Sequence, residues 1–186
     1  MRQSGRHTTD PRFKRTHIPV IFANATTSLD TPKQGIYLWG PWGTGKTTAA
    51  CALMLRAYDQ GKAVRYATEW SLITESREDF GRGSDFFQSC FSCPVLLIDD
   101  IGKGRMKSQD FSLLYGIVDS RWANGLVTYF TSNYRLSELA TCFEQSSDEQ
   151  MAGALVSRIS GLCGKPVCMG GKDKRAEFSA QNGAQQ

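Results

Sequence analysis

Gly40-Pro41-Trp42-Gly43-Thr44-Gly45-Lys46-Thr47 is the segment from which the fold of this 186-residue chain can be predicted. It has the pattern Gly-x-x-x-x-Gly-Lys-Thr and lies between an apolar run at residues 36–39 and a helix-forming stretch. Glycines let the backbone N–H groups of such a loop approach phosphate oxygens closely, and the positive end of the following helix points at the same place. The segment therefore predicts a phosphate-binding loop between a strand and a helix.

The chemistry expected at this loop is the binding of Mg-ATP. Backbone N–H groups from Gly43 to Thr47 would surround the β-phosphate, Lys46 would reach the β and γ oxygens, and Thr47 would offer its hydroxyl to Mg²⁺. Trp42 would pack over the nucleotide or over a neighbouring residue. The nucleotide-binding residues predicted here are Gly40, Pro41, Trp42, Gly43, Thr44, Gly45, Lys46, Thr47 and Thr48.

Two further apolar runs in the sequence lead to polar residues. Residues 94–99 form a buried-strand pattern that ends in the adjacent carboxylates Asp99 and Asp100, and residues 126–132 form another that leads to Asn133. The carboxyl ends of parallel strands meet at one edge of a sheet, where ligands bind. We expect Asp99 to join Thr47 at Mg²⁺, Asp100 to orient or deprotonate the attacking water, and Asn133 to hold that water or sense the γ-phosphate.

Apolar strand-like runs alternate with helical stretches along the chain, which predicts βαβ units and a parallel sheet covered on both faces. Strands are predicted at residues 36–39, 63–68, 94–99, 126–132 and 166–169. Helices are predicted at 46–60, 71–90 with an interruption near Gly81 and Gly83, 109–123, 136–143 and 149–160.

Composition indicates one soluble domain, with 40% hydrophobic and 22% charged residues. The apolar runs are far shorter than the roughly 20 residues that span a bilayer, and the polar N-terminus does not resemble a secretory signal, so we expect a cytoplasmic protein. The net charge of +4 arises within residues 1–35. We expect a flexible basic arm at 1–16, either a solvated tail or a nucleic-acid contact, a domain at 17–178 and a disordered tail at 179–186.

Six cysteines leave two interpretations open. The spacing of Cys90 and Cys93, with Cys163 and Cys168 far along the chain, would allow a zinc site. The favoured interpretation is that these reduced thiols act as small buried hydrophobes, because Cys93 adjoins a buried-strand pattern.

These motifs resemble the AAA+ ATPases, and more narrowly the bacterial helicase-loader family (DnaC and DnaI) with its relative, the IstB transposition ATPase. The resemblance covers roughly residues 17–178 and implies a P-loop three-layer sandwich with a five-stranded sheet in the order 5-1-4-3-2. It also implies that the segment containing Ile18 and Phe22 lies by the adenine. Arg158, in a Ser-Arg-Ile sequence, resembles the arginine finger that completes a neighbouring subunit's site, and Arg175 resembles the sensor-2 arginine.

The sequence departs from the family pattern in ways that affect function. Asp100 stands where AAA+ proteins commonly carry glutamate, so we expect slow turnover. We expect no full helical lid after Arg158, and only a basic arm before the core. Lys103, Arg105 and Lys107 follow the acidic pair and either contact single-stranded DNA or form a solvated loop.

The resemblance implies an ATPase that loads or remodels a replicative helicase on single-stranded DNA during DNA replication, forming homo-oligomers in its ATP state. One alternative is an IstB-like transposition helper that acts on duplex DNA with a transposase. The other is a nucleotide-gated interaction protein that holds a partner and hydrolyses little ATP, which the Asp99–Asp100 pair favours more than Asp-Glu would.

Overall fold

Strands and helices alternate in the computed structural model, which describes residues 11–78, 85–104, 106–144 and 149–173. The elements in chain order are α1 Pro11–Thr16, a 3₁₀ helix Val20–Phe22, β1 Ile36–Trp39, α2 Lys46–Asp59, β2 Val64–Thr68, α3 Glu69–Glu78, α4 Asp85–Ser92, β3 Val95–Ile101, α5 Ser108–Ala123, β4 Val127–Ser132, α6 Leu136–Glu144, α7 Glu149–Leu162 and β5 Val167–Cys168.

The five strands form one parallel sheet in the order β2-β3-β4-β1-β5. Read from the other edge, this is the order 5-1-4-3-2, so the α/β fold and the strand order implied by the resemblance are both confirmed. Because all strands run the same way, the ends of β1, β3 and β4 lie at one edge, next to the start of α2.

Apolar residues alternate between two buried clusters, one on each face of the sheet, as expected for strands covered on both sides. Leu38 and Leu97 pack with α1 and α2, whereas Tyr37 and Ile98 pack on the opposite face, where α3 to α7 contribute the helical side chains. The result is a three-layer α/β/α sandwich. None of the described helices has the length and apolar character needed to cross a membrane.

Residues 11–16 differ from the expected flexible arm, since they form α1. Phe13 explains the difference: its side chain is buried in the same cluster as Leu38, and this apolar anchor is hidden in the sequence by basic neighbours. Residues 1–10 and 179–186, the rest of the predicted arm and tail, lie outside the described residues.

Four cysteines are buried as small apolar side chains, as the favoured interpretation predicted: Cys51, Cys90, Cys93 and Cys163. The interpretation was wrong for Cys168, which is exposed, and Cys142 is only half-buried. Within the described ranges, no three His, Cys, Asp or Glu side chains come together as a metal site. The carbonyls of Cys90 and Cys93 instead accept hydrogen bonds from the buried guanidinium of Arg121 at 3.0 and 2.9 Å, which fastens α5 to the end of α4.

Candidate active site

The predicted phosphate-binding loop lies between β1 and α2. Gly40, Gly43 and Gly45 have φ angles of 145°, 72° and 86°, which other residues rarely adopt. Gly45 also forms the N-terminal cap of α2 without a side chain, so the first-turn N–H groups remain available to an anion. The sequence prediction of a strand, loop and helix at this position is therefore confirmed.

Lys46 is folded back over this loop. Its Nζ donates hydrogen bonds to the carbonyl oxygens of Gly40 and Pro41, both at 2.8 Å, and the residue is only 6% exposed. The hydroxyl of Thr44 donates to the same Pro41 oxygen at 2.9 Å. The ammonium charge is thus held inside the loop, where an anion would need it.

The chain after β5 lies directly against the loop, a contact that the sequence did not predict. A Cβ at Gly40 would collide with the backbone oxygen of Met169, and a Cβ at Gly43 would collide with the carboxylate of Asp173. Close packing therefore requires glycine at both positions, in addition to the φ angles. Trp42 has no such cover and is 70% exposed.

Asp99 lies at the centre of a hydrogen-bonded cluster. Its Oδ1 accepts hydrogen bonds from the hydroxyls of Thr47, at 3.0 Å, and Thr131, while its Oδ2 accepts from the hydroxyl of Tyr66 at 2.8 Å. Burial of the carboxyl group is the largest influence on its pKa and raises it, against the lowering effect of these donors. Carboxylate and hydroxyl oxygens are the ligands that Mg²⁺ prefers, so Thr47 and Asp99 fit the metal predicted from the sequence.

Asp100 sits on a bulge that turns its side chain away from the strand. Ile98 pairs with Phe130 and Ile101 with Ser132, so β3 has one residue more than β4 in this interval. Asp100 takes a φ of 59°, a left-handed conformation that aspartate tolerates better than most residues. Bulges re-aim side chains next to active sites, and this one gives adjacent carboxylates different surroundings.

The backbone and the side chain of Asp100 have separate partners. Its N–H donates to the Thr131 hydroxyl at 2.9 Å, so Thr131 contacts both acidic residues. Its Oδ2 forms an ion pair with Lys103 at 3.0 Å in a largely solvated position. Thr131 was missed as a site residue, although a threonine in a buried run that leads to the sheet edge was a usable signal.

Asn133 follows β4 with one buried polar atom unsatisfied. Among the described residues, its Oδ1 has no hydrogen-bond partner. Burying an acceptor without a donor costs about 1–3 kcal/mol, so the position suits a ligand or water that donates a hydrogen bond. The predicted role of Asn133, which is to hold the attacking water, requires such a free acceptor oxygen.

Glu69 is a second residue that was not predicted from the sequence. It begins α3 directly after β2, is 3% exposed, and accepts hydrogen bonds from the N–H groups of Gly102 and Gly104 at 2.5 and 2.7 Å. Burial raises the pKa of this carboxyl group, and the backbone donors oppose that rise. The available signal was its place at a strand end, on the same sheet edge as Asp99.

Arg158 is not brought to the phosphate-binding loop. It lies on α7, where its Nε donates to Asp119 at 2.7 Å and its guanidinium stacks over the ring of Trp122 at 4.1 Å. Asp119 and Trp122 are near the end of α5 that precedes β4, so Arg158 lies toward the opposite edge of the sheet from Lys46.

Of the other predicted site residues, two lie in the core and two lie outside the described residues. Ile18 is buried in the cluster around α2 and Phe22 packs against that cluster, so both are part of the core. The predicted contacts of this segment with adenine remain untested. Arg105 and Arg175 lie outside the described residues.

Curated relatives match parts of the chain. It is 33% identical over 85 residues to the chromosomal replication initiator protein DnaA of Campylobacter jejuni, covering 43% of this chain and 19% of the relative. It is 27% identical over 128 residues to the insertion sequence IS21 putative ATP-binding protein of Pseudomonas aeruginosa, covering 68% of this chain and 47% of the relative. The chain thus spans less than half the length of these relatives.

Solved structures share the fold. The crystal structure of DnaI is similar with a TM-score of 0.66 and 22% identity, over 87% of this chain and 86% of that one. The replication initiator DnaA bound to AMPPCP and single-stranded DNA is similar with a TM-score of 0.62 and 21% identity, over 87% of this chain and 50% of that one.

The family comparison covers most of the chain. The family described as IstB-like ATP binding protein matches residues 17–181, which include the phosphate-binding loop, both acidic residues, Asn133 and Arg158. The chain therefore belongs to the family of IstB-like ATP binding proteins.

Proposed function

We propose that the chain binds and hydrolyses Mg-ATP and uses this cycle to load or remodel a replicative helicase on single-stranded DNA. The observation that carries the hydrolysis part is the arrangement around Thr131, whose hydroxyl contacts both Asp99 and the backbone of Asp100. One side chain thereby aligns the candidate metal ligand with the candidate base, beside the phosphate-binding loop.

Each residue has a distinct part in the proposed reaction. N–H groups of Gly43 to Thr47 bind the phosphates and Lys46 balances their charge, while Thr47 and Asp99 hold Mg²⁺. When bound, Mg²⁺ neutralises charge that develops on the β and γ oxygens. Asp100 accepts the proton of the attacking water, and the Asn133 oxygen accepts a hydrogen bond from that water and fixes its direction.

Arg158 would complete the site of a neighbouring copy. Its position toward the opposite edge from Lys46 suits a head-to-tail contact, in which one protomer's ATP meets the next protomer's arginine. Such an arrangement would make hydrolysis depend on assembly. In the isolated protomer the ion pair with Asp119 holds the guanidinium against α5, so a contact with a neighbour's ATP would have to replace this pair.

The helicase and DNA parts of the proposal rest on similarity and on charge. DnaI, which the fold resembles, and DnaA, which has been seen with single-stranded DNA, are the structural neighbours that support it. Lys103 and Lys107 are exposed on the segment after Asp100, where cations would meet a phosphodiester backbone.

Two alternatives have observations in their favour. The IS21 relative matches 68% of this chain, which supports a transposition helper acting with a transposase on duplex DNA. The ion pair between Lys103 and Asp100 occupies an oxygen that would accept the water's proton, which supports a nucleotide-gated interaction protein with little hydrolysis.

Capture of partners from the host lysate tests the choice. The chain loaded with Mg-AMPPCP is immobilised, and Lys46→Ala treated in the same way serves as the control for nucleotide-dependent capture. Recovery of the replicative helicase by the loaded chain alone supports the loader function. Recovery of a transposase supports the alternative, and equal capture by Lys46→Ala contradicts any nucleotide-gated function.

A further inference from the structure

A buried carboxylate outside the phosphate-binding machinery holds the loop that follows the acidic pair. Glu69 accepts hydrogen bonds from Gly102 and Gly104, which lie 33 and 35 positions further along the chain. These two N–H groups lie on either side of Lys103 and meet on one carboxylate, as in the anion-binding nests that short loops form.

Glu69 is itself fixed at the end of β2. Thr68 and Ser71 exchange backbone-to-side-chain hydrogen bonds of 2.9 Å in both directions, which fastens the first turn of α3. The Glu69 charge lies in that first turn, where the positive end of a helix favours an anion. The carboxylate is thus a rigid support, and not a mobile surface group.

The loop that it supports carries Asp100 between fixed points. On the β4 side, the Ser132 hydroxyl donates to the Ile101 carbonyl at 2.7 Å, and the Thr131 hydroxyl accepts the N–H of Asp100 at 2.9 Å. On the β2 side, Glu69 holds Gly102 and Gly104. Glu69 therefore holds the segment directly after the bulge, and Lys103 in that segment pairs with Asp100.

We infer that Glu69 is a positioning residue for ATP hydrolysis, because its grip on residues 102–104 sets the direction of the Asp100 carboxylate. The inference rests on the proposed function of Asp100 as the group that accepts the water's proton. The hydrogen-bond partners of Glu69, Gly102 and Gly104, are not among the residues assigned to phosphate or Mg²⁺ binding, so Glu69 acts on turnover and not on ATP affinity.

Two variants disturb this contact from opposite sides. Glu69→Gln removes one acceptor, since an amide nitrogen cannot accept an N–H. Gly104→Ala leaves the carboxylate intact but places a Cβ 2.8 Å from Glu69 Oε1, which pushes the two apart. Matched controls are Glu138→Gln on α6, where the native carboxylate accepts the N–H of Arg135 just before the helix, and Gly153→Ala, where a Cβ has open space.

Steady-state ATPase kinetics test the inference. Thermal unfolding and the stoichiometry of bound nucleotide show that each variant is folded. Both variants are expected to lose roughly 10- to 100-fold in kcat while KM changes little, because a misplacement of about 1 Å has effects of this size. The controls keep the wild-type kcat. In an Asp100→Asn background, Glu69→Gln should add little further loss, since both changes act on the same group.

A wild-type kcat in either folded variant would overturn the inference about Glu69, and so would an additive loss in the Asp100→Asn background. Neither result would contradict the proposed function. If Glu69→Gln does not fold, Gly104→Ala decides by the same criteria. A wild-type chain that does not hydrolyse ATP would contradict the proposed function as well, so the two failures are distinguishable.

Discussion

Thr47 donates its hydroxyl hydrogen to Asp99 Oδ1 over 3.0 Å, although the two residues are 52 positions apart. Thr47 follows β1 and Asp99 lies on β3, and β4 separates these two strands in the sheet. The sheet brings the loop after β1 and the end of β3 to the same edge. The two residues proposed to hold Mg²⁺ are therefore in contact, and Thr131 and Tyr66 also donate hydrogen bonds to the carboxylate.

Asp99 and Asp100 are adjacent in sequence, but their neutral variants should behave differently. Asp99→Asn should weaken Mg²⁺-dependent ATP binding roughly 10- to 100-fold, since it removes a charged oxygen ligand. Asp100→Asn should leave that affinity near the wild-type value and slow hydrolysis roughly 10²- to 10⁴-fold. Calorimetric titration with and without Mg²⁺, followed by single-turnover hydrolysis, separates the two effects. Equal behaviour of the variants would refute the division of roles.

Arg158→Ala should bind ATP normally but lose hydrolysis that depends on assembly. Mixing Arg158→Ala with Lys46→Ala should restore part of the activity, because mixed contacts pair an intact loop with an intact arginine. Asp119→Asn is the control, since it breaks the pair at 2.7 Å while keeping the guanidinium. ATPase assays of the mixtures report the result. Co-assembly without any recovery would leave Arg158 with a structural role only.

Binding to single-stranded DNA should be weak and strongly dependent on salt. Lys103→Ala and Lys107→Ala should each reduce the slope of log affinity against log salt by about 0.7, the value for one lost phosphate contact. Lys165→Ala, at an exposed lysine near β5, should leave the slope unchanged. Fluorescence anisotropy at several salt concentrations measures it. Affinity that is independent of salt would contradict these contacts, as would no binding at low salt with ATP present.

His17 should make the fold sensitive to acid. Burial and then the charge of Arg65 lower the pKa of this imidazole in the folded state. The unfolded chain therefore binds the proton more readily, and the free energy of unfolding falls as the pH drops through about 6.5. The fall is small, because the imidazole is largely exposed and solvent screens its interactions. His17→Asn, which tolerates the φ of 59°, should lose less stability between pH 7.5 and 5.5. Chemical denaturation at both pH values checks this, and equal losses would refute it.

Local patterns predicted the elements that carry the site, because each has a strong local signal. The apolar run before Asp99 and the glycine pattern before Lys46 specify a strand and a loop without reference to the rest of the chain. The order of the strands needed the family resemblance, since periodicity contains no information about which strands are neighbours. The helix at 11–16 was wrongly placed in an arm, because one buried phenylalanine does not produce a periodic pattern.

The contacts that tune the site could not be predicted, because they join residues distant in sequence. Glu69 meets Gly102 across 33 positions, and Thr131 meets Asp99 across 32. The bulge at Asp100 arises from a mismatch between two strands, which neither strand shows by itself. The rule that polar residues at parallel strand ends converge would have selected Glu69, but not its partners.

The central claim is that residues 40–47 bind the phosphates of ATP, and the affinity of Lys46→Ala for Mg-ATP tests it most directly. Wild type and Lys62→Ala, at an exposed lysine, are the comparisons. Lys46 both closes the loop through Gly40 and Pro41 and supplies the charge for phosphate, and charge-assisted hydrogen bonds contribute about 1.5–3 kcal/mol each. Isothermal titration calorimetry should show wild-type affinity for Lys62→Ala and a loss of roughly 10- to 100-fold or more for Lys46→Ala. Unchanged affinity in a folded Lys46→Ala chain would contradict the assignment of the phosphate-binding loop.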